Sequence, residues 1–170
     1  GGEATVTTAA APDHNHQRAG SNGVRWFKSL GAKNVFTADV IDSASANDST
    51  LAASIRTSRL IYLLGGFPRY LAETLADSTC WAAMLDVYQQ GGVIAGSSAG
   101  AMVLCEYYYD PYQKELLRGL NLIPNACAIP HHNNFGRCVG VRFVTFYTRF
   151  KVVACISIRS DMADFRSKKF

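Results

Sequence analysis

The sequence lacks any apolar run approaching the roughly 20 residues that span a membrane, so no membrane-crossing helix is expected along its 170 residues. Its opening, GGEATVTTAAAPD, has no basic segment ahead of an apolar one, and a secretory leader is therefore not expected. An initiator methionine is missing too, which points to a processed chain or a fragment. No C-x-x-C spacing occurs among the five cysteines, Cys80, Cys105, Cys127, Cys138 and Cys155. An odd count without a leader implies reduced, mostly buried thiols. His14 and His16 form a loop pair with no obvious third ligand, so no metal and no cofactor are expected. A charge excess is absent from most of the chain: residues 1–137 carry 10 Lys and Arg against 11 Asp and Glu. That balance gives no electrostatic case for a nucleic-acid partner. Residues 138–170 carry 7 against 2 and are expected to form a solvated basic tail. A cytoplasmic protein is the expectation that these absences leave.

What is present suits one domain with one sizeable core, since 48% of the residues are apolar. The pattern alternates. ATVTTAA predicts a strand leading into a loop at Pro12-Asp13, and Val24, Phe27 and Leu30 form a helical stripe that stops at Gly31. NVFTADVI predicts a strand, and STLAASIRTS a short helix with Ser49 as its N-cap. LIYLL predicts a buried strand ending at Gly65-Gly66, and RYLAETLA a helix. Trp81, Met84, Leu85 and Tyr88 mark one face of a further helix, closed by Gly91-Gly92. Strands alternating with helices imply an α/β fold with a mostly parallel sheet covered on both faces. In such sheets function gathers beyond the carboxyl ends of the strands.

Two loops fall at that end. GGVIAGSSAGAMVL, from Gly91 to Leu104, carries a short apolar run into a pair of serines and then into small and larger apolar residues. Gly96-Ser97-Ser98-Ala99-Gly100 fits G-x-S-x-G between a strand and a helix, the turn that lifts a central serine clear of a sheet. The helix start would bring unpaired N–H groups and a positive dipole end near the hydroxyl. The Ala99 N–H could then help stabilise an oxyanion. A Gly-rich strand-to-helix turn also suits a phosphate, so the pattern alone leaves both readings open. The second loop, GGFPRY, offers the Gly65 and Gly66 amides to a substrate oxygen, or simply ends a strand. Further on, IPHHNNFGR places two histidines after the apolar segment LNLIPNACAIP. A serine nucleophile needs a base, and histidine suits that role near neutral pH.

GGFPRYLAETL, GGVIAGSSAGAMVL and GLNLIPNACAIPHHNNFGR together resemble peptidase family S51, which includes aspartyl dipeptidase and cyanophycinase. The resemblance covers roughly residues 4–137 and implies a three-layer α/β sandwich like that of the class I glutamine amidotransferases. It implies that Ser98 is the nucleophile, with Ser97 at the variable position before it. It makes His131 the base, with His132 as the runner-up where the family often has Phe. Gly66 and Ala99 would supply the oxyanion hole, with Gly65 as the alternative to Gly66. The family places an acid between Ser and His; Asp110 in YYYDPY matches best by distance from Ser98, and Glu106 and Glu115 compete. A small peptide is the implied substrate, cut at an aspartyl residue, with Arg69 and Arg137 as candidate carboxylate binders. Phe135 stands where cyanophycinases keep a second Arg, which argues against cyanophycin. A homodimer is a further expectation.

Two departures from the family remain. A strand and helix that usually precede the first segment are missing, so the N-terminus looks truncated. After Arg137 the usual G-[IV]-D-E strand is absent, so residues 1–137 are expected to form an incomplete hydrolytic domain and residues 138–170 a divergent tail of unrelated sequence. Two rival readings stand beside a serine dipeptidase or exopeptidase. One is an inactive remnant acting as a binding module. The other is an esterase of the α/β-hydrolase type, which shares G-x-S-x-G but normally runs over a longer chain than one whose His lies 33 positions after its Ser.

Overall fold

The computed structural model describes residues 1–128 and the short strand at 153–154. In chain order the elements are β1 (Gly2–Val6), a 3-10 turn (Thr8–Ala10), α1 (His16–Ser29), β2 (Val35–Ala38), α2 (Ser43–Ala46), α3 (Ser49–Arg56) and β3 (Ser58–Leu63). Then come α4 (Pro68–Leu75), α5 (Thr79–Gln89), β4 (Val93–Gly96), α6 (Ala99–Leu104), β5 (Cys105–Asp110), β6 (Glu115–Arg118), β7 (Ile123–Cys127) and β8 (Val153–Ala154).

Five strands form one sheet in the order β2-β1-β3-β4-β8, with every pairing parallel. Register sorts its side chains. Ala4 pairs with Ile61, Val6 with Leu63, and Ile61 with Ile94. Successive residues of a strand point to opposite faces, so these five share one face, and all five are fully buried. Each of the larger ones contributes about 1.5–3 kcal/mol by leaving water. On that side α3 and α5 pack against each other, α3 touching β2 and β3 and α5 touching β3 and β4. Their inner residues, among them Ile55 and Met84, are fully buried. The alternate residues, Thr5 and its register partner Tyr62, face α1. The Phe27 ring of α1 meets the Tyr62 ring edge-on at 5.3 Å, and a Cβ on Gly23 would lie 3.1 Å from the Thr5 Cγ2. Helix, sheet and helix thus form the three layers that the alternation predicts.

β5, β6 and β7 make a second, smaller sheet in the order β6-β5-β7, with β5 antiparallel to β6 and parallel to β7. Helix α6 joins the two sheets without a gap, running from the turn after β4 straight into Cys105 of β5.

Most elements fall where the sequence predicts them; the strand expected over NVFTADVI is confined to Val35–Ala38, and two further elements differ. The strand expected through Ala10 ends at Val6. Beyond it the Thr8 hydroxyl donates to the Val40 carbonyl at 2.5 Å, and the Ala9 carbonyl accepts the Phe67 amide at 2.8 Å. Those two tertiary bonds bend the chain out of the sheet. The cap of α3 is Asp48, not Ser49: the Asp48 carboxylate accepts the Leu51 amide at 2.8 Å, and Ser49 is the first helical residue. Among the described residues no helix is long and apolar enough to cross a membrane.

Candidate active site

β3 and β4 run side by side in parallel, so the turns that leave them lie at the same end of the sheet. The turn after β4 holds Ser97 and Ser98, and the turn after β3 holds Gly65 and Gly66. They are tied together, since the Ser97 amide donates to the Leu63 carbonyl at 3.1 Å.

Ser98 is half-buried and caps α6 with φ 51° and ψ −119°. A positive φ strains any residue with a Cβ and persists only where the surroundings enforce it. Here they do. The Gly100 amide donates to the Ser97 carbonyl at 2.9 Å and the Met102 amide to the Ser98 carbonyl at 3.0 Å, so the helix begins at once. The flanking glycines make that geometry possible by close approach. A Cβ on Gly96 would lie 2.5 Å from the Gly100 carbonyl carbon, and one on Gly100 would lie 2.1 Å from the Leu63 carbonyl oxygen. Strand, sharp turn and helix match what the G-x-S-x-G spacing predicts.

Gly65 and Gly66 sit differently. A Cβ on Gly65 would lie 3.0 Å from the Ser98 Cβ and 3.6 Å from its Oγ, so the backbone of Gly65 faces the serine directly. Gly66 has φ +143°, and a Cβ there would lie 2.0 Å from the Ala9 carbonyl oxygen. That oxygen is the one that holds the Phe67 amide. Among the described residues neither the Gly66 nor the Ala99 amide donates to a backbone carbonyl. The 3-10 turn at residues 8–10 is therefore a wall of this site, a role the sequence does not signal.

Asp110 ends β5 and is 1% exposed. Its Oδ1 accepts the Tyr112 amide at 2.9 Å. The two rival acids have other work. Glu106 accepts the Asn125 amide at 2.9 Å across to β7, and Glu115 is exposed on β6 with an oxygen 4.0 Å from Arg69. Burial pushes the Tyr108 hydroxyl up to about 12, with the Asp110 and Glu73 charges acting in the same sense and Arg69 opposing them. β5 and β7 run parallel with Tyr107 opposite Cys127, so β5 continues three residues past the end of β7 to reach Asp110.

The Arg69 guanidinium is already engaged: Nε lies 2.8 Å from the Glu73 carboxylate, and Nη1 bonds the Gln113 side chain. The Glu73 hydrogen bond and charge raise its pKa. Phe67 and Tyr112 stack at 5.1 Å beside it. These residues and Asp110 line a cavity of about 390 Å³. The aromatic pair lies 45 positions apart in sequence, and only the fold brings it together.

Cys80 and Cys105 are buried free thiols and Cys127 is a half-buried one; burial pushes Cys105 up to about 11. Among the described residues no group of three His, Cys, Asp or Glu side chains is placed to hold a metal ion. His131, its runner-up His132, and Arg137 lie outside the described residues.

The strand-turn-helix serine lies at the carboxyl ends of a parallel sheet covered by helices on both faces, which defines an α/β protein with its candidate site on the strand tips. The chain belongs to peptidase family S51, whose profile matches residues 9–159. Among solved structures it is similar to a peptidase from an acI-B1 actinobacterium, at 29% identity and a TM-score of 0.63. That alignment covers 80% of this chain and 57% of the other, so the chain spans less than two thirds of that relative. The fold is also similar to that of a Listeria monocytogenes EGD-e protein assigned as a peptidase E, at 21% identity and a TM-score of 0.56, covering 78% of this chain and 68% of that one. No curated protein matches the chain. The family match continues past Arg137, and β8 pairs Val153 and Ala154 with Ala95 and Gly96 of β4.

Proposed function

We propose that this chain is a serine-type peptidase acting on small peptides, with Ser98 as its nucleophile and His131 as its base. The observation that carries the proposal is the strained backbone of Ser98, held between two glycines that tolerate no Cβ and facing the Gly65-Gly66 turn. The Ser98 hydroxyl attacks the peptide carbonyl and its proton passes to His131. The amides of Gly66 and Ala99 receive the oxyanion, since both lie in the turns that flank Ser98 and neither donates to a backbone carbonyl among the described residues. His131 then protonates the leaving amine, and water releases the acyl group.

Asp110 is the acid proposed to orient His131. Of the three candidate acids it alone is buried. It also stands at the carboxyl end of β5, three residues past the Tyr107 that pairs with Cys127 at the end of β7, and His131 follows Cys127 by four residues in sequence. Arg69 is a poor carboxylate receptor as it stands, because Glu73, Gln113 and Glu115 already occupy it. Recognition of an acidic substrate group would fall to Arg137.

The test is turnover of a dipeptide library by the purified chain and by Ser98→Ala and His131→Ala. Each substitution is expected to lower kcat by about 10³-fold or more. Turnover by Ser98→Ala at the native rate would remove Ser98 from the mechanism.

A further inference from the structure

We infer that the cavity beside the Gly66 turn is a side-chain subsite for an aromatic residue of the peptide substrate, and that it excludes an acidic one. The inference rests on the peptidase reading above and names the substrate class that this part of the site selects.

The cavity opens one residue beyond Gly66, because Phe67 follows that glycine directly and forms its wall. Five ring-bearing residues line it: Pro12, Phe67, Pro68, Tyr70 and Tyr112. Phe67 and Tyr112 stand nearly parallel, at 18°, and Tyr112 is 66% exposed. A substrate ring can extend this stack and cover the exposed face, which is the offset geometry aromatic groups favour. Tyr70 is fixed for the purpose, its hydroxyl donating to the Ile41 carbonyl at 2.8 Å. Rigid walls of this kind lose little freedom when a ligand binds.

The polar groups of the cavity are committed elsewhere. Arg69 is the only cation lining it among the described residues. Its guanidinium bonds Glu73 and Gln113 and lies near Glu115. Asp110 accepts the Tyr112 amide. An acidic side chain entering here meets one cation shared between two glutamates, with the Asp110 carboxylate behind it. It loses its water without gaining a free partner, which is unfavourable. An aromatic side chain needs no partner and buries its area against rings. At about 390 Å³ this open groove admits a phenyl or phenol group laid against its rings.

Binding tests this without reference to turnover. The Ser98→Ala chain is examined by saturation-transfer NMR with N-acetylphenylalaninamide and with N-acetylaspartic acid amide. We expect saturation to pass to the phenyl protons, and any aspartyl signal to be unchanged by loss of the Phe67 or Tyr112 ring. Phe67→Ala and Tyr112→Ala, made in the same background, should each weaken phenylalanine binding by about tenfold, the loss expected when one ring of a stack is removed. Tyr112 is exposed, so its variant keeps the fold, and thermal melting checks both. Aspartyl binding that Phe67→Ala or Tyr112→Ala weakens would overturn the inference, because an acidic group held at Arg137 does not depend on those rings. So would phenylalanine binding unchanged in both folded variants. Since no catalysis is read, a failed peptidase assay and a failed subsite remain separate results.

Discussion

A single carbon separates two kinds of glycine at this site. On Gly100 a Cβ would meet the Leu63 carbonyl oxygen at 2.1 Å, a backbone atom inside the sheet that cannot step aside. On Gly65 the Cβ would meet the Ser98 side chain at 3.0 Å, a contact relieved by a few tenths of an ångström of movement. Gly100→Ala is therefore expected to cost about 1–3 kcal/mol of stability, as overpacking does, measured by urea unfolding. Gly65→Ala should leave unfolding within about 1 kcal/mol of the native value yet lower kcat/KM by roughly 10- to 100-fold, because it displaces the nucleophile. Equal stability losses in the two variants would contradict this division. The G-x-S-x-G turn was legible in the sequence because its constraints are local: glycines flanking a serine between an apolar run and a helix. The wall at Ala9 was not, because nothing in TTAA announces that its carbonyl will meet Gly66 and Phe67. Asp110 was legible as an acid at a suitable separation, and its burial came only with the fold.

Among the elements, helices with an apolar stripe were placed well, since the stripe marks the face that packs. Their ends were placed less well, because a cap is one hydrogen bond and neighbouring polar residues compete for it. In Asp48-Ser49 the carboxylate of Asp48 takes the Leu51 amide. Asp48→Ala should cost about 1 kcal/mol, while Ser49→Ala, at the first helical position, should change stability by about half that or less. Urea unfolding of the two variants decides it, and a larger loss for Ser49→Ala would return the cap to that residue. The second sheet left little trace in the sequence. β6 is ELLR with three of its four residues exposed, so no alternation of burial marks it. β5 carries three tyrosines whose partners, such as Arg118 over the Tyr107 ring at 5.6 Å, come from other strands. Pairing across the chain is a tertiary fact that local composition does not encode.

At the scale of the molecule, the two sheets share the labour. The larger one presents the turns after β3 and β4, and with them Ser98 and the Gly65-Gly66 amides. The smaller one ends with Asp110 on β5 and with β7, the strand that precedes His131 in sequence. Helix α6, six residues long and buried throughout, fixes the distance between them. The account's central claim is that this arrangement activates Ser98 through His131. Its most direct test is labelling of the folded chain with a fluorophosphonate, with the modified residue located by mass spectrometry and His131→Ala run alongside. The account predicts one label, on Ser98, which slows by about 100-fold or more in His131→Ala while the thermal melt stays unchanged. Absence of label from the folded native chain, or labelling of Ser98 at the same rate without His131, would contradict it.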